Sequence, residues 1–370
     1  MIRLDPDRNS GRTGGVRAFG KTRRGALRSG ALLGAAMLVF SLGVLQGCSA
    51  PEVKEDLPRK SSKPLIWPSP PEPARISYVR SIEKPQDIGV TKGFFTKIVE
   101  FIAGAKTEEM IKPYGVTVDS TGRIITVDTP QKRVHIFDPI KHEYTYIEEA
   151  GNFPLDTPIA AAVDSQDNIY VTDSAAGNVY SFNSKGKFLK AITGLTRPTG
   201  IAIDRQDGTL FVADTGAHNV KALDLKGNPV FVIGKRGENN GEFNYPVDLF
   251  VDKNGDLYVN DSMNFRIQIF DKKGAFVTAF GKHGDGSGDF GRPKGIAVDR
   301  EGHIYVADAL FDTVQIFDRK GTFLLNFGSI GREIGTFWLP SGIYIDNGDK
   351  IYVADSYNRR VQVFEFLGNF

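Results

Sequence analysis

The chain has 370 residues, 24% charged and 41% hydrophobic, which is typical of a globular body of one large or two ordinary domains. Residues 1–47 hold eight Lys or Arg against two Asp or Glu, so the remainder carries 38 basic and 42 acidic residues. That slightly acidic remainder argues against nucleic acid as a partner, and the single cysteine, Cys48, excludes an internal disulfide and a cysteine-based zinc cluster.

The N-terminal residues 1–47 predict an export signal. A basic stretch precedes the uncharged apolar run Ser29–Gly47, which is typical of a secretory signal peptide and is also just long enough for an uncleaved membrane anchor. "LQGC" at Leu45–Cys48 resembles the bacterial lipobox, and "TRRGALR" at Thr22–Arg28 resembles a twin-arginine export motif. The lipobox resemblance implies a lipoprotein signal peptide at 1–47 and lipidation of Cys48.

The lipobox resemblance also bears on localisation. Ser49 follows Cys48 where an inner-membrane retention signal would place Asp, so we expect an exported outer-membrane lipoprotein, facing the periplasm or the cell surface. An inner-membrane anchor is the alternative. In both cases the chain contacts the membrane through its lipid.

Residues 48–73 predict a proline-rich tether. Seven prolines fall within residues 49–73, and proline favours an extended, semi-stiff chain without backbone donors. We interpret this stretch as a spacer that lifts the following domain off a membrane. A proline-rich ligand for a partner is the alternative.

Internal repeats dominate the rest of the chain, residues 74–370. A proline opens each unit, and an aspartate closes the next apolar run, at Asp128, Asp173, Asp214, Asp261, Asp308 and Asp355. Units such as "PKGIAVDREGHIYVAD" continue into a third and a fourth apolar run, with Asn, Asp and Gly at the reversals. Four short strands at a period of 41 to 47 residues predict one propeller blade per unit.

The units resemble the NHL repeat, as "PSGIYIDNGDKIYVADSYNRRVQVFEF" at 340–366 illustrates. The resemblance covers about residues 75–370 and is closest in the last three units. It implies an all-β, six-bladed β-propeller with four-stranded antiparallel blades. It also implies a binding platform in most members of the family, and a metal-dependent lyase or lactonase in some.

The sixth unit ends before making its fourth strand, whereas "RISYVRSIE" at Arg75–Glu83 precedes the first unit as an orphan strand. We expect this N-terminal strand to close the last blade, with Arg75, Ile76, Tyr78 and Val79 as its leading residues. Closure removes an exposed sheet edge that would invite aggregation.

One segment, residues 93–104 within Gly93–Lys106, breaks the repeat. Its apolar residues recur at helical spacing, which predicts a short inserted amphipathic helix. We expect this helix to plug or cover one face of the propeller; the alternative is a docking helix for the membrane or a partner.

The sequence contains no catalytic constellation. The six recurring aspartates are interpreted as caps of turns, and Arg133, Arg266 and Arg360 are expected to pair with neighbouring turns, as in the family. His218 matches one zinc histidine of the amidating lyases, but the matching positions after the blade-opening prolines hold no histidine. Asn219, Asn264 and Asn358 in the blade-end loops are candidates for binding, and the same three together with Asn260 are candidates for a calcium cage, although no spacing singles them out.

These observations favour a lipid-anchored scaffold of the cell envelope that binds other envelope proteins, without enzymatic activity and without a cofactor. The alternative is a metal-dependent lyase or lactonase with calcium or zinc at the mouth of the propeller channel, near His218.

Overall fold

The computed structural model describes residues 64–91, 108–368 and 370. The predicted signal peptide, Cys48, the tether up to residue 63 and the predicted helix at 93–104 lie outside the described residues. No helix within the described part of the chain is long and apolar enough to cross a membrane.

The described residues form six antiparallel blades, as predicted from the repeats. Two strands precede them, β1 (Ile66–Trp67) and β2 (Ile76–Ile82). The blades are composed as follows: blade 1 of β3 (Pro113–Val118), β4 (Ile124–Asp128), β5 (Arg133–Asp138) and β6 (Glu143–Ile147), followed by a small hairpin of β7 (Glu149–Ala150) and β8 (Phe153–Pro154); blade 2 of β9 (Pro158–Val163), β10 (Ile169–Asp173), β11 (Asn178–Phe182) and β12 (Phe188–Ile192); blade 3 of β13 (Pro198–Ile203), β14 (Thr209–Asp214), β15 (Asn219–Asp224) and β16 (Pro229–Ile233); blade 4 of β17 (Pro246–Val251), β18 (Leu257–Asp261), β19 (Arg266–Phe270) and β20 (Phe276–Phe280); blade 5 of β21 (Pro293–Val298), β22 (Ile304–Asp308), β23 (Thr313–Phe317) and β24 (Phe323–Phe327); blade 6 of β25 (Pro340–Ile345), β26 (Lys350–Asp355) and β27 (Arg360–Phe366). Single-turn 3₁₀ helices lie at Pro85–Ile88, Thr215–Ala217, Ser262–Asn264 and Ser356–Asn358.

The first strand of each blade lies innermost and packs against the first strands of both neighbouring blades, so that the six inner strands enclose a central channel. Glycine makes this close approach possible in four blades. A Cβ at Gly342 of blade 6 would lie 2.6 Å from the carbonyl oxygen of Tyr114 in blade 1. A side chain at that position would therefore push the neighbouring strands apart.

The hydrophobic core is divided among the six junctions between blades. Each cluster of buried side chains combines residues from two consecutive blades, because a blade that is apolar on both faces must be covered on both sides. The cluster between blades 6 and 1 includes Val361 and Val116 together with Ile82 of the N-terminal strand.

The prediction that the N-terminal strand closes the last blade is confirmed. Strand β2 pairs with β27 from Ile76 opposite Phe366 to Ile82 opposite Val361, and both isoleucines are fully buried. Tyr78 packs edge-on against Phe364. Val79 lies at a shift in the register and is partly exposed.

Blade 6 also has a fifth strand that the sequence did not predict. Strand β1 pairs with β2, and its Trp67 contacts the rings of Phe327 and Phe364 at 5.9 and 5.8 Å between centroids. Arg75 connects the two strands, and its backbone N–H donates to the carbonyl oxygen of Trp67. The C-terminal end of the predicted tether is therefore part of the folded domain.

Candidate functional site

The blades present two faces. Because the strands alternate in direction, the loops after each second strand and the links between blades lie at one end of the channel, which we call the link face. The turns after each first and third strand lie at the other end, the turn face. Loops on a rigid scaffold are the usual carriers of function, so each face is a candidate site.

The six recurring aspartates on the link face are turn caps, as predicted. Each one is fully buried at the end of a second strand, and its carboxylate accepts backbone N–H groups from the link that leads into its own blade. The donors are Ile111 and Lys112 for Asp128, Asp156 and Thr157 for Asp173, Thr196 and Arg197 for Asp214, Asn244 for Asp261, Gly291 and Arg292 for Asp308, and Trp338 for Asp355.

The candidate binding residues Asn264 and Asn358 belong to the same capping networks. Each side-chain amide donates to the aspartate of its own blade and to a backbone carbonyl of the preceding link. Asn219 begins β15, and its Oδ1 is buried without a hydrogen-bond partner in the described part of the chain. The structure thus separates the three asparagines into different blades and does not bring them to one site.

The predicted arginines also hold turns in place. The guanidinium groups of Arg266 and Arg360 each donate to the aspartate of their blade and to two carbonyls of the link. Arg133 in blade 1 instead pairs with Glu148. His135 is buried beside Asp128 and Tyr144, and burial lowers its pKa to about 3, so it remains neutral.

The candidate zinc residue His218 lies in the loop after β14, with a positive φ of 56°. Its Nδ1 accepts the backbone N–H of Tyr245 at 3.2 Å, and its ring contacts the ring of Tyr245 at 4.3 Å between centroids. In the described ranges, no group of three or more His, Cys, Asp or Glu side chains converges in a geometry that could hold a metal ion.

At one position of the loop after the second strand, three consecutive blades expose a large apolar side chain. The residue two positions after the capping aspartate is Met263 in blade 4, Leu310 in blade 5 and Tyr357 in blade 6, with 53%, 59% and 44% of their surface exposed. The same position holds Pro130, Ala175 and Gly216 in blades 1 to 3. We call Met263, Leu310 and Tyr357 the apolar triplet.

A basic and aromatic cavity of about 550 Å³ adjoins Tyr357, between blades 6 and 1. The Lys112 ammonium lies 4.2 Å from the centre of the Tyr357 ring, and Arg332 lies 5.0 Å from the ring of Trp338. The two aromatic rings contact each other at 5.6 Å. Arg359 and Glu83 complete the rim, and burial raises the pKa of the Glu83 carboxyl.

The central channel holds a second cavity, of about 340 Å³, that opens at the turn face. Inner-strand residues of all six blades line it, and Asp248 lies among them, where the other blades have Gly or Ala. Phe250 of blade 4 contacts Tyr344 of blade 6 across the channel, with 6.5 Å between ring centres. Burial raises the pKa of Asp248 to about 7.

Neither Asp248 nor the apolar triplet was predicted from the sequence. Their signal is visible in the aligned units, because "PVDLFVD" departs from "P-x-G" at its third residue, and the residue two places after each capping aspartate changes from small to large. Histidines and asparagines were predicted as site residues because of their side-chain chemistry. In the structure, His218, Asn264 and Asn358 hold the links in place.

Comparison with known proteins agrees with this architecture. A family model described as NHL repeat matches residues 195–223 and 337–364, and a model described as 6-bladed beta-propeller matches residues 253–310. No curated protein sequence matches the chain.

Solved structures share the fold at low sequence identity. A streptogramin B lyase structure is 12% identical, with 70% of this chain and 94% of that one covered and a TM-score of 0.54. An auxiliary nutrient binding protein from Bacteroides thetaiotaomicron is 16% identical, with 70% of each chain covered and a TM-score of 0.56. A luciferin-regenerating enzyme is 15% identical, with coverages of 70% and 92% and a TM-score of 0.52. Proteins with such different names, at such low sequence identity, show that the likeness concerns the fold alone.

Proposed function

Because the chain is a six-bladed β-propeller of NHL repeats, we propose that it is a lipid-anchored scaffold of the bacterial cell envelope that binds a protein partner through its link face. The observation that carries this proposal is the apolar triplet, which occupies one equivalent position in three consecutive blades. Exposed apolar groups that cluster within a polar surround are typical of protein interaction sites.

The chemistry next to the triplet restricts the partner. Lys112, Arg332 and Arg359 line the cavity beside Tyr357, and aromatic and arginine side chains are frequent energetic centres of interfaces. We therefore expect the partner to present an apolar surface flanked by acidic side chains, with its carboxylates near Lys112 and Arg332. Binding should weaken at high salt because exposed charge pairs are screened.

The anchor part of the proposal depends on Cys48. A lipid on this cysteine, followed by the proline-rich spacer, would hold the propeller close to the membrane with its link face available to other envelope proteins. Replacing Cys48 with serine should release the protein from the membrane fraction of fractionated cells. Membrane retention of C48S at the wild-type level would contradict a lipid anchor and favour an uncleaved apolar anchor.

Site-specific photo-crosslinking in intact cells tests the interaction face. A photoreactive amino acid at position 310, in the triplet, should give a discrete crosslinked species that is absent when the probe is placed at Lys320 on the turn face. The crosslinked protein is identified, purified and shown to bind the wild-type propeller directly. Equal crosslinking at both positions, or none at position 310, would contradict the proposal.

Elemental analysis of the purified protein separates this proposal from the enzymatic alternative. If the protein contains stoichiometric zinc or calcium, and removing the metal abolishes a lyase or lactonase activity, the scaffold proposal is contradicted and the enzymatic alternative is favoured.

A further inference from the structure

The channel contains a carboxylate that the propeller framework does not require. The third residue of the inner strand is Asp248 in blade 4, whereas the equivalent residues of the other blades are Gly115, Ala160, Gly200, Gly295 and Gly342. Small residues serve the close packing of inner strands, as shown by Gly200, where a Cβ would lie 2.5 Å from the Cα of Asp248. The other five blades therefore pack into the ring without a carboxylate at this position.

The surroundings of Asp248 leave it without a cation. Its Oδ2 accepts the backbone N–H of Ile296 at 3.0 Å, and no salt bridge to it is formed among the described residues. The ammonium of Lys294, two residues before Ile296, contacts the hydroxyl of Tyr114. Burial favours the neutral acid, which raises the pKa and makes the ionised form unfavourable unless a positive group joins it.

A second polar departure from the repeat faces Asp248. Asn260 is its cross-strand partner in β18, where blades 3, 5 and 6 have alanine. Residues directly opposite each other in an antiparallel pair have their side chains on the same face. Asn260 is 0% exposed, and within the described part of the chain neither atom of its amide has a hydrogen-bond partner. Orphaned polar groups of this kind are rare in folded proteins.

The aromatic rings and the charges of the cavity lining determine which kind of ligand the channel can bind. Phe250 lies two residues after Asp248 on the same face of β17, and Tyr344 lies opposite. The cavity lining carries five carboxylates against three cations, and the four carboxylates other than Asp248 accept hydrogen bonds within the turns of their own blades. Asp252 is also paired with Arg319. The three cations of the lining are engaged: Arg205 donates to the carbonyls of Val163 and Val118, Arg300 pairs with Asp349, and Lys253 donates to the carbonyl of Arg300.

We propose that the channel binds a small organic ammonium compound, whose charged nitrogen donates to Asp248 and whose apolar body lies against Phe250 and Tyr344. Carboxylates and aromatic faces together are the groups that recognise such cations. Asn260 does not line the cavity and lies opposite Asp248 on the neighbouring strand, as a polar neighbour of the carboxylate. A calcium ion takes six to eight oxygen ligands, more than one carboxylate and one amide provide. This site is separate from the proposed link-face scaffold, and either one stands without the other.

Calorimetric titration of the purified full-length protein with benzylammonium at pH 8 tests the assignment. The wild type should bind benzylammonium and not benzyl alcohol, which has the same ring without the charge. Asp248→Gly installs the residue that four other blades carry, so the variant should fold, and it should lose roughly tenfold or more in affinity, as expected when a charged hydrogen bond is removed. Asp285→Gly, which removes an exposed carboxylate from a link, should bind like the wild type.

Three results would overturn the assignment. The first is that the wild type does not bind benzylammonium. The second is that a D248G variant, shown by thermal unfolding to be folded, binds it with the same affinity as the wild type. The third is that Asp248 binds Ca²⁺ in place of benzylammonium. Because benzylammonium binding is measured without any protein partner, failure here would leave the crosslinking result on the link face unaffected.

Discussion

Blades 4 and 6 hold their capping aspartates with the same set of donors. Asp261 accepts a link N–H, the amide of Asn264, the guanidinium of Arg266 and the amide of Gln268. In blade 6, Asp355 accepts the equivalent groups, from Trp338, Asn358, Arg360 and Gln362, at distances within 0.2 Å of those in blade 4.

The inner strands of the same two blades differ. Blade 6 has Gly342 and Ala354 where blade 4 has Asp248 and Asn260. The two blades share these four capping contacts and differ in the channel. This comparison separates the residues that build the ring from those that the ring presents. The candidate functional residues are therefore the departures from the repeat.

Removing the capping aspartate should destabilise the protein equally in blades 4 and 6. Asp261→Ala and Asp355→Ala should each lower the free energy of unfolding by about 3–5 kcal/mol, because each removes the acceptor of a link N–H and of the Nε–H of a largely buried guanidinium. Urea denaturation of the two variants measures this directly. A large effect in one blade and none in the other would show that the similarity of the two networks is only geometrical.

Sequence alone predicted the blades well, because apolar runs, turn residues and the period repeat six times. The closing strand Arg75–Glu83 was found by counting, since blade 6 lacked one strand. Strand β1 was missed because "LIWP" lies among prolines that obscure a two-residue strand. Its recognition required the aromatic pocket of Phe327 and Phe364, which forms only in the folded ring.

The candidate sites were less predictable for a physical reason. Whether a residue is exposed or lies in the channel depends on which end of its strand reaches which face. This decides that Met263 and Leu310 are exposed and that Asp248 lies among the inner strands. Histidines and asparagines are natural candidates in a sequence because their side chains can bind metals and ligands. In the structure, His218, Asn264 and Asn358 form hydrogen bonds with backbone groups of the links. A comparison of the repeats with one another would have identified Asp248 first.

Blade 6 takes its fourth strand from the N-terminus, whereas blades 3 and 4 supply their own. Matched substitutions in the fourth strands of blades 6 and 3 test whether the N-terminal strand closes the ring. Ile82→Ala in β2 and Ile233→Ala in β16 remove buried side chains at equivalent ends of fourth strands. Both should destabilise the protein by about 3 kcal/mol. If I82A unfolded like the wild type while I233A did not, the N-terminal strand would be dispensable and the ring open.

Removing the blade 4 carboxylate should stabilise the protein, and more so at higher pH. The folded-state pKa of Asp248, about 7, lies above its ordinary value of 3.8, so the folded protein binds a proton more tightly than the unfolded chain. The wild type therefore loses stability as pH rises from about 4 to about 7, and Asp248→Gly does not share this loss. At pH 8 the shift corresponds to roughly 4 kcal/mol, of which about 2 kcal/mol is offset because D248G also removes the acceptor of the Ile296 N–H. We therefore expect D248G to exceed the wild type by about 2 kcal/mol at pH 8, with a smaller difference at pH 5.

Urea denaturation at both pH values checks this expectation, with Asp285→Gly as the control that should show no comparable pH-dependent gain. A D248G variant less stable than the wild type at pH 8 would mean that the carboxylate supports the fold.

Asn260→Ala should have the smallest effect on stability. The change gives blade 4 the alanine of blades 3, 5 and 6 and removes two buried groups without partners, so the variant should equal the wild type or exceed it by about 1 kcal/mol. A loss of more than about 2 kcal/mol in a thermal or urea unfolding curve would indicate that Asn260 has a structural partner.

The central claim is that departures from the repeat, rather than the repeat itself, carry the interaction. The most direct test replaces the apolar triplet with serine, M263S/L310S/Y357S, and compares partner binding in cells and with purified components against Val230→Ser, an exposed apolar residue on the outer strand of blade 3. We predict that the triple variant keeps the wild-type unfolding temperature and loses the partner, whereas V230S keeps both. A folded triple variant that still binds the partner at wild-type affinity would contradict the account.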